Sequence, residues 1–261
     1  MIKLIVTDVD GTLVVEGTNQ LDPRYVETIL ALRKKGIQFA VASGRQASSI
    51  EYLFRDLKEK IFYLADNGSY IGCYGRILFT FPLDKALVEK LIQEGEKLSD
   101  CELMLSTPKM IYTNSKNKAF LDWMNQGYQM NVQYTEDLLS LEEEVIKFSY
   151  NRNYGLEEII QTILPKYGDQ LQCSTAGASW VDCMTLGINK GHAVSILQES
   201  LDISPEETMV FGDQCNDIEM MKQAYHSYAV ENAHEKVKDV ARFRTDSHEN
   251  FGVLKILQTL L

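Results

Sequence analysis

A chain of 261 residues, 45% apolar and 24% charged, has the composition of a folded globular protein with enough length for a full core in one or two domains, which excludes a disordered or fibrous polypeptide. Its net charge of −11, from 26 basic against 37 acidic residues, disfavours nucleic-acid polymers and anionic membrane surfaces as partners. No apolar run approaches the length of a membrane-spanning helix, and Met1 runs into strand-like sequence without a signal-peptide pattern, so a cytoplasmic location is the expectation.

Ile2–Val6 reads as an apolar strand that delivers Asp8-Val9-Asp10-Gly11-Thr12. Asp22-Pro23 then opens a helix with a capping carboxylate and a proline at its first position. Val26, Ile29, Leu30 and Leu32 give that helix its apolar face, and Gly36 closes it. Ile37–Ala42 is a second buried strand, followed by a helix from about Ala47 to Lys58 and a strand at Ile61–Leu64. Strand–helix alternation at this spacing predicts an α/β fold with a Rossmann-like, doubly wound parallel sheet.

Near Phe81-Pro82 the pattern changes. From Leu83 to about Met184 the chain reads as a helix (Lys85–Leu98), strands of mixed polarity (Glu102–Leu105, Met110–Thr113, Glu144–Tyr150), a helix around Leu156–Leu164 ended by Pro165, and strands at Leu171–Thr175 and Ser179–Met184. That is a separate α+β unit inserted into the first. Alternation resumes with a helix from Lys190-Gly191 to about Leu201 and a capping box at Ser204-Pro205-Glu206-Glu207. A strand (Met209–Phe211), a helix (about Ile218–Ala224), a strand (Tyr228–Val230) and a helix (His234–Val240) follow. The expected organisation is a core of residues 1–82 and 185–261 with an α+β insertion at 83–184.

In such sheets functional groups gather beyond the carboxyl ends of the strands. Asp8 and Asp10 fall there after the first strand, where two anions held close together ask for a cation. Ser43-Gly44-Arg45 follows the second strand and offers a hydroxyl and backbone N–H groups to an anion. Lys190 stands before a helix, where a cation is unfavourable unless an anion lies nearby. Gly212-Asp213-Gln214-Cys215-Asn216-Asp217 ends a later strand with a second acidic cluster. A carboxylate nucleophile, a lysine, a hydroxyl and an all-oxygen acidic pocket match phosphoryl transfer assisted by Mg²⁺. The cysteines are odd in number, widely spaced and lack Cys-x-x-Cys, and the four histidines show no ligand pairing, so neither type is assigned chemistry.

These motifs, with Asn67-Gly68, Asn189-Lys190-Gly191 and Asn232-Ala233, resemble in order and spacing the haloacid dehalogenase superfamily of phosphohydrolases. The resemblance is to its Cof-type branch, in which a large cap lies between the second and third motifs. It implies that Asp8 attacks phosphorus and that Asp10 protonates the leaving alcohol and then activates water. It further implies that Mg²⁺ is held by Asp8, the backbone carbonyl of Asp10 and Asp213, and that Ser43, Gly44 and Lys190 hold the phosphoryl oxygens. Asn216 would orient Asp8 or the phosphate, and Asp217 would hold Lys190 or a metal-bound water. Arg45 is expected to bridge core and cap or touch substrate, and Asn67 to be a tight turn or part of a substrate loop.

The implied activity is Mg²⁺-dependent hydrolysis of a small phosphorylated metabolite, with a sugar phosphate first and a nucleotide, flavin-precursor or pyridoxal phosphate next. A phosphotransferase or mutase on the same scaffold, or a non-catalytic metabolite-binding regulator, stays open at this point.

Overall fold

The computed structural model describes residues 1–57, 59–176 and 179–261. Leu4–Thr7 (β1) is buried at every position, as a central strand must be. Asp22 accepts from the Arg24 N–H and, with Pro23, starts Pro23–Lys34 (α1). Gln38–Ala42 (β2), Ala47–Leu53 (α2) and Phe62–Ala65 (β3) continue the alternation. The second helix stops short of the expected end, and Lys58 lies outside the described residues.

Tyr70–Cys73 (β4) and Arg76–Thr80 (β5) form a hairpin that sequence reading missed. Its Tyr74-Gly75 turn has φ of 53° and 72°, the left-handed pair that two-residue hairpins require, and a tyrosine in the first place disguises the usual signal.

The insertion comprises Lys85–Gly95 (α3), Glu102–Ser106 (β6), Ile111–Thr113 (β7), Lys118–Asp122 (α4), Val132–Tyr134 (β8), Lys147–Asn151 (β9), Leu156–Tyr167 (α5), Leu171–Ala176 (β10) and Trp180–Thr185 (β11). Pro165 does not end α5 as expected but lies within it. It sits in the last turn, where one forfeited backbone bond is tolerated because the helix ends two residues later. The chain returns through Lys190–Leu201 (α6), Thr208–Gly212 (β12), Ile218–Lys222 (α7), His226–Val230 (β13), Glu235–Val240 (α8), Phe243–Thr245 (β14) and Gly252–Gln258 (α9).

Two sheets result. The eight-stranded one runs β14-β13-β12-β1-β2-β3-β4-β5, parallel from β14 to β3 and antiparallel at the hairpin edge. The six-stranded one runs β10-β11-β9-β6-β7-β8. Residues 81–84 and 186–189 carry the chain between them, and the Thr185 hydroxyl donates to the Pro82 carbonyl at 2.9 Å, tying the two crossings together.

Period-two alternation divides the smaller sheet. Leu103, Leu105, Phe148, Tyr150, Val181 and Cys183 pack with α3 and α5 in one apolar cluster. Met104, Ser106, Lys147, Ser149 and Asp182 point the other way and line a cavity shared with the larger sheet. Among the described residues no helix is long and apolar enough to cross a membrane.

Candidate active site

Strand order reverses at β1: β2 and β3 lie on one side, β12, β13 and β14 on the other. Such a reversal opens a crevice at the carboxyl ends of the strands on either side of it. Here β1 and β12 end side by side, with the Asp8 N–H donating to the Phe211 carbonyl at 2.9 Å, so Asp8 and Asp213 enter the crevice together. Gly11, at φ +79°, permits their approach, because a Cβ there would lie 2.3 Å from Asp213 Oδ2. The Thr12 hydroxyl donates to Asp213 Oδ1 at 2.7 Å and fixes the carboxylate.

Lys190, the first residue of α6, extends a fully buried side chain into this cluster. Its Nζ lies 2.6 Å from Asp8 Oδ1 and 2.7 Å from Asp217 Oδ1. The other Asp217 oxygen accepts from the N–H groups of Asp213 and Gln214 at 2.9 and 3.0 Å, so one carboxylate anchors both the loop and the lysine. Gly68, at φ +94°, lets its turn pass against the carbonyl of Asn189, which caps the same helix.

Asp8, Asp213 and Asp217 can each offer a carboxylate oxygen such that all lie within 4.8 Å of one another. Three carboxylates against one ammonium leave an excess of two negative charges in a buried pocket. Burial raises the Asp8 carboxyl well above its ordinary range; Lys190 opposes the shift, and Asp217 and Asp213 add to it. Burial and the neighbouring Asp217 push Asp213 up to about 7. Burial alone would lower Lys190, but the carboxylates of Asp217 and Asp8 outweigh it and hold the ammonium above its usual value.

Asp10 lines the same cavity, but its carboxylate joins a different cation. Arg45 grips it through Nε at 2.7 Å and Nη2 at 2.6 Å, while the Gly17 N–H donates to it at 3.1 Å. The two aspartates of the first motif therefore share a cavity but pair directly with different cations. Arg45 also donates to the Thr18 carbonyl at 2.8 Å and lies 5.0 Å from the Tyr128 ring of the insertion, so it touches both parts of the molecule. Ser43 is buried, accepts from the Arg45 N–H at 3.1 Å and lines the cavity with Gly44.

Asn216 hydrogen-bonds neither Asp8 nor Lys190; its Nδ2 donates to Asn67 Oδ1 at 3.0 Å, and its own Oδ1 is buried without a partner among the described residues. Asn67 stands at φ 56° in a tight turn and donates to Asp182 Oδ2 at 2.6 Å, across to the insertion.

Sequence reading did not single out Asp66, Lys147, Ser149 or Asp182. Lys147 donates to the Gly44 carbonyl at 2.6 Å, lies 3.0 Å from Asp66 and 3.7 Å from Asp182, and is 6% exposed. Ser149 donates to Asp182 at 2.6 Å. These residues clamp the insertion over the crevice. The available signal was the alternation in Lys147-Phe148-Ser149-Tyr150-Asn151, a strand whose polar side has to meet something polar when buried. Removing one partner of a buried ion pair strands the others, so Lys147→Ala is expected to cost about 3 kcal/mol. Thermal unfolding should show it as a fall of roughly 6–12 °C, and an unchanged midpoint would mean the clamp contributes nothing.

The residues of both sheets enclose a cavity of about 430 Å³. The chain matches the family model of haloacid dehalogenase-like hydrolases over residues 5–257. It is 28% identical over 261 residues to a 5-amino-6-(5-phospho-D-ribitylamino)uracil phosphatase of Escherichia coli, covering 100% of this chain and 96% of that one. A crystal structure from Eubacterium rectale is similar with a TM-score of 0.89 at 34% identity, covering 100% and 99% of the two chains. A Streptococcus mutans structure has a TM-score of 0.91 at 26% identity, with the same coverage.

Proposed function

The chain belongs to the haloacid dehalogenase-like hydrolase family, and from that premise we propose that it is a phosphatase of small phosphorylated metabolites acting through an aspartyl phosphate on Asp8. The observation that carries the reading is the buried Lys190 ammonium between Asp8 and Asp217, with Asp213 beside them. The E. coli relative acts, by its name, on a phosphorylated ribitylamino-uracil, and the same broad class of ester suits this cavity.

A divalent cation fits the cluster. Its donors are all oxygens, they converge, and three carboxylates face one directly paired ammonium. Asp8 and Asp213, with the Asp10 carbonyl, would hold Mg²⁺, and Asp217 would stay with Lys190. The chemistry supplied by the bound ion is neutralisation of the phosphoryl oxygens and of the aspartates.

Lys190 occupies Asp8 Oδ1, which leaves Oδ2 to attack phosphorus. Asp10, entering this step as the protonated acid left by the preceding turnover, gives its proton to the leaving-group oxygen as the P–O bond breaks. Asp10 then takes a proton from water, which attacks the acyl phosphate and frees phosphate and the Asp8 carboxylate. Arg45 holds Asp10 in place for both transfers. Ser43, the N–H groups of its loop and Lys190 stabilise the phosphoryl oxygens. Residues 83–184 act as the cap that excludes bulk water, with Lys147 and Asn67 fastening it.

Release of inorganic phosphate from 4-nitrophenyl phosphate in Mg²⁺, absent in chelator, tests the reading. Quantitative transfer of the phosphoryl group to a second sugar hydroxyl would replace it with a phosphotransferase.

The pH dependence of stability has a definite sign. Asp213 has a folded value near 7, above that of the unfolded chain, so the folded state binds more protons between the ordinary carboxylate range and pH 7. Its contribution is present at low pH and is lost as pH rises through about 7. Metal-free protein is therefore expected to melt higher at pH 5 than at pH 8, with Mg²⁺ raising the pH 8 value. Asp213→Asn should shrink both differences; differences of the same size in that variant would contradict the assignment.

A further inference from the structure

The cavity above the crevice is lined by polar and apolar side chains together. Lys147, Ser149 and Asp182 satisfy one another and the core loops, which leaves them little to offer a ligand. Around them stand Met104, Ile111, Met124 and Met130 with Tyr128 and Trp180, and Met104 lies directly across from Ser149 on the same sheet face. These six belong to an apolar cluster that also contains Phe120, Leu121 and Val132 and is separate from the two larger cores. Trp180, the first residue of β11, is half-buried, and its indole is stacked on Trp123 with centroids 6.0 Å apart and planes 25° apart, which holds it as a fixed platform.

Polarizable sulfur and an indole face favour a flat ring, which gains dispersion and sulfur–aromatic contact. Among these six side chains the polar groups are the Tyr128 hydroxyl and the Trp180 indole N–H, so most sugar hydroxyls buried there would lose their water without replacement. Buried polar atoms with spare capacity, Arg45 Nη1 and Asn216 Oδ1, are on the core side. Glu16, Asn232 and Glu249 also line the cavity but are exposed.

We propose that the phosphate ester taken by this chain carries an aromatic or heteroaromatic ring on its leaving group, seated on Met104, Met124 and Trp180. This rests on the phosphatase reading above and reverses the substrate order drawn from the sequence, in which a sugar phosphate came first. A cavity of about 430 Å³ admits one or two rings with a short linker and excludes a folded polypeptide.

The test compares pyridoxine 5′-phosphate and benzyl phosphate with glucose 6-phosphate and glycerol 3-phosphate, all esters of primary alcohols. The expected kcat/KM is about tenfold or more higher for the ring esters. Trp180→Ala should shrink that preference about fivefold, and Trp180→Phe should retain most of it. Equal or greater turnover of glucose 6-phosphate, or an unchanged preference in Trp180→Ala, overturns the inference.

A second readout separates it from the phosphatase reading. The chain has two tryptophans, so binding of pyridoxine 5′-phosphate to the Asp8→Asn variant should quench indole fluorescence at lower concentration than glucose 6-phosphate. The quench should weaken when Trp180→Phe is added. A quench without hydrolysis of any ester removes the phosphatase and keeps the ring pocket. Hydrolysis without preference or quench removes the ring pocket and keeps the phosphatase. Absence of both removes both.

Discussion

Asp8→Asn is expected to reduce phosphate release by about 10⁴-fold or more, since loss of a covalent nucleophile leaves only binding and electrostatic contributions. The same change should leave the protein as stable as before, or more so. Asp8 is one of three buried carboxylates facing a single ammonium, and an amide of equal shape removes an anion from an overcharged pocket. The two measurements together are decisive. Lost activity with an unchanged or raised melting temperature assigns Asp8 to the chemistry. Retained activity refutes the aspartyl-phosphate route, and a large drop in melting temperature would make Asp8 a structural residue.

Lys190→Met should behave in the opposite way toward stability. It removes what is, among the described residues, the only cation in direct contact with Asp8 and Asp217, and leaves those charges buried. Breaking a buried pair from one side costs about 3–5 kcal/mol, which for a chain of this size lowers the melting temperature by roughly 6–20 °C. Activity should fall with it, because the phosphoryl oxygens lose their ammonium. Added Mg²⁺ should restore part of the stability but not the turnover. A variant that melts like the parent would show that the acidic cluster is neutralised by protonation, with Lys190 contributing little.

The parts of the molecule that follow from local rules were legible in its sequence. Buried runs alternating with capped helices give a parallel sheet wherever they occur, and Asp22-Pro23 and Asn189-Lys190 mark their helix starts by their own chemistry. Asp8 and Asp213 could be placed together because loops at the carboxyl ends of adjacent parallel strands meet. What could not be read depends on how the insertion docks. The grip of Arg45 on Asp10 requires a particular path for residues 15–18, which no periodicity sets. Lys147 and Asp182 look like ordinary strand residues until Gly44, Asp66 and Asn67 are brought against them from the other sheet. Asn216 was expected from its place in a motif to orient Asp8 or the phosphate, and the hydrogen bond of its amide nitrogen to Asn67 is a contact that no motif specifies. The Tyr74-Gly75 hairpin was hidden by a tyrosine in a left-handed position that glycine or asparagine usually occupies.

Because Leu4 pairs with Thr208, the innermost strand of the larger sheet has to wait for a neighbour made about two hundred residues later. At ribosomal speeds of 5–20 residues per second that delay is roughly 10–40 s, during which one edge of β1 stays unsatisfied and open to chaperones or to wrong partners. A polypeptide terminated before residue 190 would contain Asp8 and Asp10 but neither Lys190 nor Asp213. On the mechanism proposed above such unfinished copies would release no phosphate, so synthesis itself would delay ester cleavage until those residues are made.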